Sequence, residues 1–204
     1  MKNLQSKTVL NNGVEMPWFG LGVFKVEEGP ELVEAIKSAI KAGYRSIDTA
    51  AIYGNETAVG EGIRAIGVSN FQIHHLQDVI KDAEIKPMIN QVEYHPRLTQ
   101  KELQAFCKEQ GIQMEAWSPL MQGQLLDNET LQAIADKHGK TTAQVILRWD
   151  LQNGVITIPK STKEHRIIAN ADVFNFELTK EDMEKIDALN QNHRVGPDPD
   201  NFDF

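Results

Sequence analysis

Four groups of side chains in this sequence have types and spacings suited to chemistry. Asp48 closes an apolar run at 44–48, and Tyr53 follows in the next loop. A tyrosine hydroxyl can protonate a developing alkoxide once a cation or a hydrogen-bond network brings its pKa, near 10 when free, toward the working pH. Asp48 would support such an acid, although a packed loop aromatic behind a strand end reads the same way. Ser69 and Asn70 end one apolar run and Gln91 ends another. Their hydroxyl and amide groups could hold a carboxamide, or could simply cap local turns. Trp117, followed by Ser118, Pro119 and Leu120, offers an indole face for a flat ring, with a core tryptophan as the competing reading. Lys160, Ser161 and Thr162, with Arg166 a turn further on, gather cations, hydroxyls and helix-terminal N–H groups in one place. That is the composition of a phosphate site, and equally of a solvated basic helix start.

Elements able to position these groups follow a regular plan. After a hairpin around Asn11-Asn12-Gly13, short apolar runs at 19–24, 44–48, 66–69, 89–92, 112–117 and 155–158 alternate with segments of helical period. This is the pattern of repeated βα units with parallel strands, and it places the groups above at strand ends, where parallel α/β folds carry their chemistry. Pro30 opens a helix carrying Leu32, Ile36, Ala39 and Ile40, and Gly43 can close it. Thr99 with Glu102, Thr141 with Gln144 and Thr179 with Asp182 read as capping boxes, with Gly111 and Gly154 as stops. One junction lacks punctuation: 56–64 starts like a helix and passes through Arg64-Ala65 into Ile66-Gly67-Val68 without a glycine stop or polar loop. The tail at 195–204, with Gly196-Pro197-Asp198-Pro199-Asp200, should be an irregular loop that packs on the body or covers a site.

Composition narrows the function class. The 204 residues, 41% hydrophobic and 25% charged, suit one globular domain spanning 1–204. A net charge of -8 argues against nucleic acid or an anionic membrane as partner. No apolar run is long enough for a membrane span or a signal peptide. The single cysteine, Cys107, lies beside Phe106 in an amphipathic segment and should be a buried, inert thiol, which fits a reducing cytoplasm. His74-His75 and His95 lack metal-ligand spacing, so no metal is expected, and neither a GxGxxG nor a GxxxxGK[ST] motif occurs.

Taken in order, Gly20-Leu21-Gly22-Val23-Phe24, the run from Tyr44-Arg45-Ser46-Ile47-Asp48 through Tyr53-Gly54-Asn55-Glu56, Gly67-Val68-Ser69-Asn70-Phe71, Gln91-Val92-Glu93-Tyr94-His95-Pro96 and Ile158-Pro159-Lys160-Ser161 resemble the signatures of the aldo/keto reductase family. The likeness runs over essentially the whole chain and is nearest to bacterial reductases of the glyoxal, methylglyoxal and diketogluconate type. It implies an α/β fold, a (β/α)8 TIM barrel, and an NADPH-dependent oxidoreductase that reduces small aldehydes or ketones to alcohols. By the same resemblance Tyr53 is the proton donor and Asp48 its supporting carboxylate. Ser69, Asn70 and Gln91 would hold the nicotinamide carboxamide and Trp117 would stack on its ring. Ser118, Pro119 and Leu120 would line the pyrophosphate path. Lys160, Ser161 and Arg166 would sit at the 2′-phosphate, favouring NADPH/NADP over NADH, with Asn170 near the adenine. Gly22 and Val23 would lie at the mouth of the first barrel strand, and Phe24 would wall an apolar substrate pocket. A monomer with a small carbonyl compound as its partner is the expectation.

The departures from the family pattern bear on activity. Ala169 stands where the family usually carries an acidic or amide residue beside the adenine. Between Arg64 and Ala65 the pattern would include two whole βα units, holding a lysine that pairs with the tyrosine and a histidine that orients the carbonyl. No residue here matches either. A (β/α)8 barrel typically needs about 250 residues, so a barrel short of two βα units is expected, and the alternative function is an NADPH-binding truncated barrel that performs no reduction.

Overall fold

The turn at Asn11-Asn12-Gly13 joins two antiparallel strands, β1 (Lys7–Val9) and β2 (Glu15–Pro17), and Leu10 N–H donates to Val14 O across it at 2.8 Å. The computed structural model describes residues 3–24, 26–27, 29–48, 67–83 and 86–201. Tyr53, the 56–64 segment and the Arg64-Ala65 junction lie outside them. Each of the six apolar runs contributes a parallel strand: β3 (Leu21–Gly22), β4 (Ile47–Asp48), β5 (Gly67–Ser69), β6 (Ile89–Glu93), β7 (Gln113–Trp117) and β8 (Ile156–Thr157). Strands β5, β6, β7 and β8 pair in that order, with Ser69 opposite Gln91 and Glu93 opposite Trp117. Single parallel bridges, Phe19 to Thr157 and Gly22 to Lys160, carry the series from β8 to β3, and β3 pairs with β4. The order β5-β6-β7-β8-β3-β4 is the curved parallel sheet of an α/β barrel.

Seven α-helices occur among the described residues: α1 (Pro30–Ala42), α2 (Ile73–Asp82), α3 (Lys101–Gln110), α4 (Glu129–His138), α5 (Thr142–Gln152), α6 (Glu164–Ala171) and α7 (Lys180–Asp187). Pro30 opens α1, and Gly43, at φ 103°, closes it with its N–H on Ala39 and Ile40 carbonyls. The boxes at Thr141 and Thr179 form as expected, each threonine accepting the N–H three residues on. The box expected at Thr99 does not form. Helix α3 starts at Lys101 after Gln100 in the left-handed region, and Thr99 N–H donates to Asn190 Oδ1 instead. A tight turn closed by Leu98 N–H on His95 O, together with the Gln100 amide on Glu93 O, fixes the chain before Thr99 can reach a helical first turn.

Two apolar clusters fill the molecule. One lies among β6, β7, α3, α4 and α5 and includes Leu76, Val92, Met114, Ile134 and Trp149. The other lies among β3, α1 and α6 and includes Phe19, Leu21, Leu32 and Ile167. Helix α5 lines both, with Gln144 to Leu151 buried without a break, so it couples the two halves of the core.

Candidate active site

The C-terminal ends of six strands bring the sequence-predicted residues to one end of the sheet. Asp48 ends β4, Ser69 ends β5, Trp117 ends β7, and Gln91 lies on β6 opposite Ser69. Gly22 ends β3 beside Lys160, with space for hydrogen only, because a Cβ there would stand 2.8 Å from Ile158 O. Val23 N–H donates to Asp48 O at 3.1 Å, tying the β3 exit to the β4 exit, and the exposed Phe24 follows at that mouth.

A polar cluster centres on Gln91. Its Nε2 donates to Asp48 Oδ1 and to Glu115 Oε1, each at 2.7 Å, so one amide bridges two carboxyl groups. Burial above all, with the Asp48 charge acting the same way and the Gln91 hydrogen bond opposing, pushes the Glu115 carboxyl up to about 7. Asp48 is also raised by burial, against the same amide. A buried and a half-buried carboxyl group sharing one amide resist being ionised together. Sequence reasoning missed Glu115. Its signal was the alternation in β7, which sets Glu115 on the same side as Trp117 and away from Met114 and Ala116.

Ser69, Asn70 and Trp117 form a second, interlocked group. Ser69 Oγ donates to Gln91 O at 3.2 Å and Asn70 N–H to the same carbonyl at 2.8 Å. Asn70, at φ 61°, accepts the Trp117 Nε1–H on its Oδ1 at 2.7 Å. The indole is therefore held by its edge, which leaves a ring face to serve as a platform. Ser118 turns the chain at φ 52°, with Pro119 buried and Leu120 half-buried behind it, and Met121 N–H closes the turn on Ser118 O.

At the β8 exit Lys160 is exposed and Ser161 buried, with Ser161 Oγ accepting the Lys163 N–H. Exposed Arg166 and buried Asn170 lie on α6. The field there is positive: Thr162, Lys163 and Lys160 together hold the Glu31 carboxyl below its usual range. The structure thus gathers Asp48, Ser69, Asn70, Gln91 and Trp117 around one centre and sets Lys160, Ser161, Arg166 and Asn170 on the neighbouring β8–α6 segment.

The tail joins this centre through contacts that the sequence did not reveal. Glu93, fully buried, lies 3.0 Å from His95 Nε2 and accepts Val195 N–H at 2.6 Å and Gly196 N–H at 3.1 Å. Burial acts to raise its carboxyl, but those hydrogen bonds prevail and hold it below its ordinary range. Gly196 then rests on the edge of Trp117, and a Cβ there would meet Cη2 at 2.4 Å. The expected irregular tail is present, and it packs on the candidate platform. Cys107 is buried and its thiol is pushed up to about 11 by burial, as expected of an inert cysteine.

Residues 61–191 match the aldo/keto reductase family. The chain is 55% identical over 277 aligned positions to the uncharacterized oxidoreductase YtbE of Bacillus subtilis, with 99% of each chain covered. It is 54% identical to the glyoxal reductase of the same organism, again over 99% of each. With the methylglyoxal reductase DkgA of Escherichia coli the identity is 35%, over 95% of this chain and 96% of that one. The 277 aligned positions exceed the 204 residues of this chain, so the alignment contains positions that it lacks. Among solved structures, an aldo-keto reductase enzyme from a Medee basin deep-sea metagenome library superposes with a TM-score of 0.92 at 34% identity, covering 98% of this chain and 100% of that one. A mutant of Gox0644 in complex with NADPH superposes at 0.91 with 32% identity, covering 98% and 99%.

Proposed function

From the premise that this chain belongs to the aldo/keto reductase family of oxidoreductases, we propose that it reduces small aldehydes and ketones of the glyoxal and methylglyoxal kind to alcohols with NADPH. The reading rests on one observation above all: Ser69, Asn70, Gln91 and Trp117 meet on adjacent strand ends, with Asp48 on the Gln91 amide. The residues fit the cofactor. Trp117, edge-locked by Asn70, gives a flat apolar face for the nicotinamide, and Gly22 keeps the strand mouth free of a side chain. Ser118, Pro119 and Leu120 would follow the pyrophosphate, Lys160, Ser161 and Arg166 the 2′-phosphate, and Asn170 the adenine. When bound, NADPH supplies the hydride that adds to the carbonyl carbon. Tyr53 would give its hydroxyl proton to the carbonyl oxygen, with Asp48 as its supporting carboxylate. Val23 would lie with Gly22 on the cofactor side of that mouth, and Phe24 would border the substrate. We place this activity in a cytoplasmic monomer; no helix of the described residues is long and apolar enough to cross a membrane.

A second reading has its own support. No residue of the chain corresponds to the family's lysine or histidine, and among the described residues Asp48 is hydrogen-bonded to an amide rather than paired with a cation. A barrel that holds NADPH without reducing anything would look like this.

Titrating NADPH against Trp117 fluorescence, then following NADPH absorbance with glyoxal and methylglyoxal, separates the two. Oxidation that falls at least a hundredfold in Tyr53→Phe, with binding retained, is the expected result. Binding without oxidation in the wild type selects the second reading, and no binding defeats both. Arg166→Ala should weaken NADPH about tenfold, a change of about 1.4 kcal/mol, and leave NADH unchanged. Equal losses for the two would remove Arg166 from the 2′-phosphate site.

A further inference from the structure

We infer that His74, His75 and Asp200 form a binding site for a first-row divalent transition ion of zinc type, which staples the tail across the candidate active site. Among the described residues this is the one group of three histidine, cysteine or carboxylate side chains whose ligand atoms lie within 4.8 Å of one another. The adjacent histidines give no metal spacing along the chain; the third ligand arrives only when the fold returns the tail to the N-terminal end of α2.

The geometry fits a tetrahedral ion. Bonds of about 2.0–2.1 Å at tetrahedral angles set ligand atoms about 3.3 Å apart. Asp200 Oδ1 lies 3.1 Å from His74 Nε2 and 3.5 Å from His75 Nε2, spacings that bracket this edge. Two imidazoles and one carboxylate, partly exposed to water, suit a borderline ion such as zinc or cobalt and leave a position for solvent.

The carboxylate is also delivered independently of the histidines. Glu93 binds Val195 and Gly196 upstream, and Asp200 N–H donates to Asp198 Oδ1 at 3.0 Å, turning the chain. The site has an internal opponent too. His75 Nδ1 accepts the Gln72 N–H at 3.1 Å, which in the neutral ring puts the proton on Nε2, where the ion would bind. An ion at Nε2 therefore shifts that proton to Nδ1, which costs one capping hydrogen bond of α2.

Occupancy would fix both ends of the 195–200 strap, Glu93 at one and α2 at the other, and so hold Gly196 on the Trp117 indole. The site thereby couples a metal ion to the ring platform without any part in the hydride chemistry.

Cobalt chloride and zinc chloride are the probes, titrated into the full chain by calorimetry, with cobalt also followed by its visible absorption. One ion per chain with a tetrahedral cobalt spectrum is expected. His74→Gln and Asp200→Asn should each weaken binding at least tenfold, while His193→Gln binds as the wild type does. Melting curves of the ion-free variants, unchanged from the wild type because all three positions are at the surface, keep a folding defect from imitating lost ligands. Zinc should also protect the 195–201 segment from proteolysis in the wild type and not in Asp200→Asn. Binding that survives Asp200→Asn would overturn the staple, and binding that is weak, multiple and indifferent to His74 would overturn the site.

Discussion

The two halves of the sheet end meet around Gln91 but are built differently. On the β5–β7 side, strands β6 and β7 pair over five residues, and Ser69, Asn70, Trp117 and Glu93 are each tied by hydrogen bonds to a neighbour or to the tail. On the β3–β4 side the ladder is two residues long, and among the described residues the Asp48 carboxylate takes one amide N–H, from Gln91. The surface suited to recognition is thus rigid by pairing. The surface suited to proton handling depends on desolvation, which keeps carboxyl groups poised and costs stability when they ionise.

The largest test of this contrast strikes the rigid side. Trp149 is fully buried, stacks on Tyr94 with ring centroids 4.9 Å apart, and donates Nε1–H to Asp187 Oδ1 at 2.9 Å. Trp149→Ala should cost about 3–5 kcal/mol in denaturant unfolding. Because α5 lines both apolar clusters, the loss should appear as one cooperative transition at lower denaturant; two resolved transitions would mean that the halves stand separately. Next in size is the carboxyl that β7 places under the Gln91 bridge to Asp48. Glu115 holds its proton to about pH 7 in the folded chain, against a usual value of 4.5. Its contribution is complete below that usual value and is lost as pH rises through 7, up to about 3 kcal/mol. Stability of the wild type relative to Glu115→Gln should accordingly fall between pH 5 and pH 8, and parallel curves would refute the shift. The smallest test concerns caps. Thr141→Ala should cost about 1 kcal/mol by opening the α5 box, whereas Thr99→Ala, whose side chain caps no helix, should lose clearly less. Equal losses at the two threonines would contradict the observed start of α3.

These tests follow the line between what is local and what is not. The six strands, the Asn11-Asn12-Gly13 turn, Pro30 and the boxes at Thr141 and Thr179 were legible because the residues that cause them lie within one turn or one pleat of each other. Thr99 shows the same logic failing: its local pattern is sound, but Asn190 and the turn from His95 to Leu98 reach it first. The strand-end residues were legible as candidates, since apolar runs mark strand ends. Their mutual contacts were not, because the Gln91 bridge unites three strands remote in sequence. Glu93 was readable as part of a run and not as the tail's anchor, since its partners, Val195 and Gly196, lie near the far end of the chain.

The contact between Gly196 and Trp117 has a bearing on inheritance. Gly196 belongs to no strand or helix, so a change there removes little that holds the barrel together, yet any side chain must displace the indole. A lineage can therefore explore new preferences at this position while its barrel keeps its margin of stability, and mutations that would be purged inside β7 survive long enough to be tried in the tail.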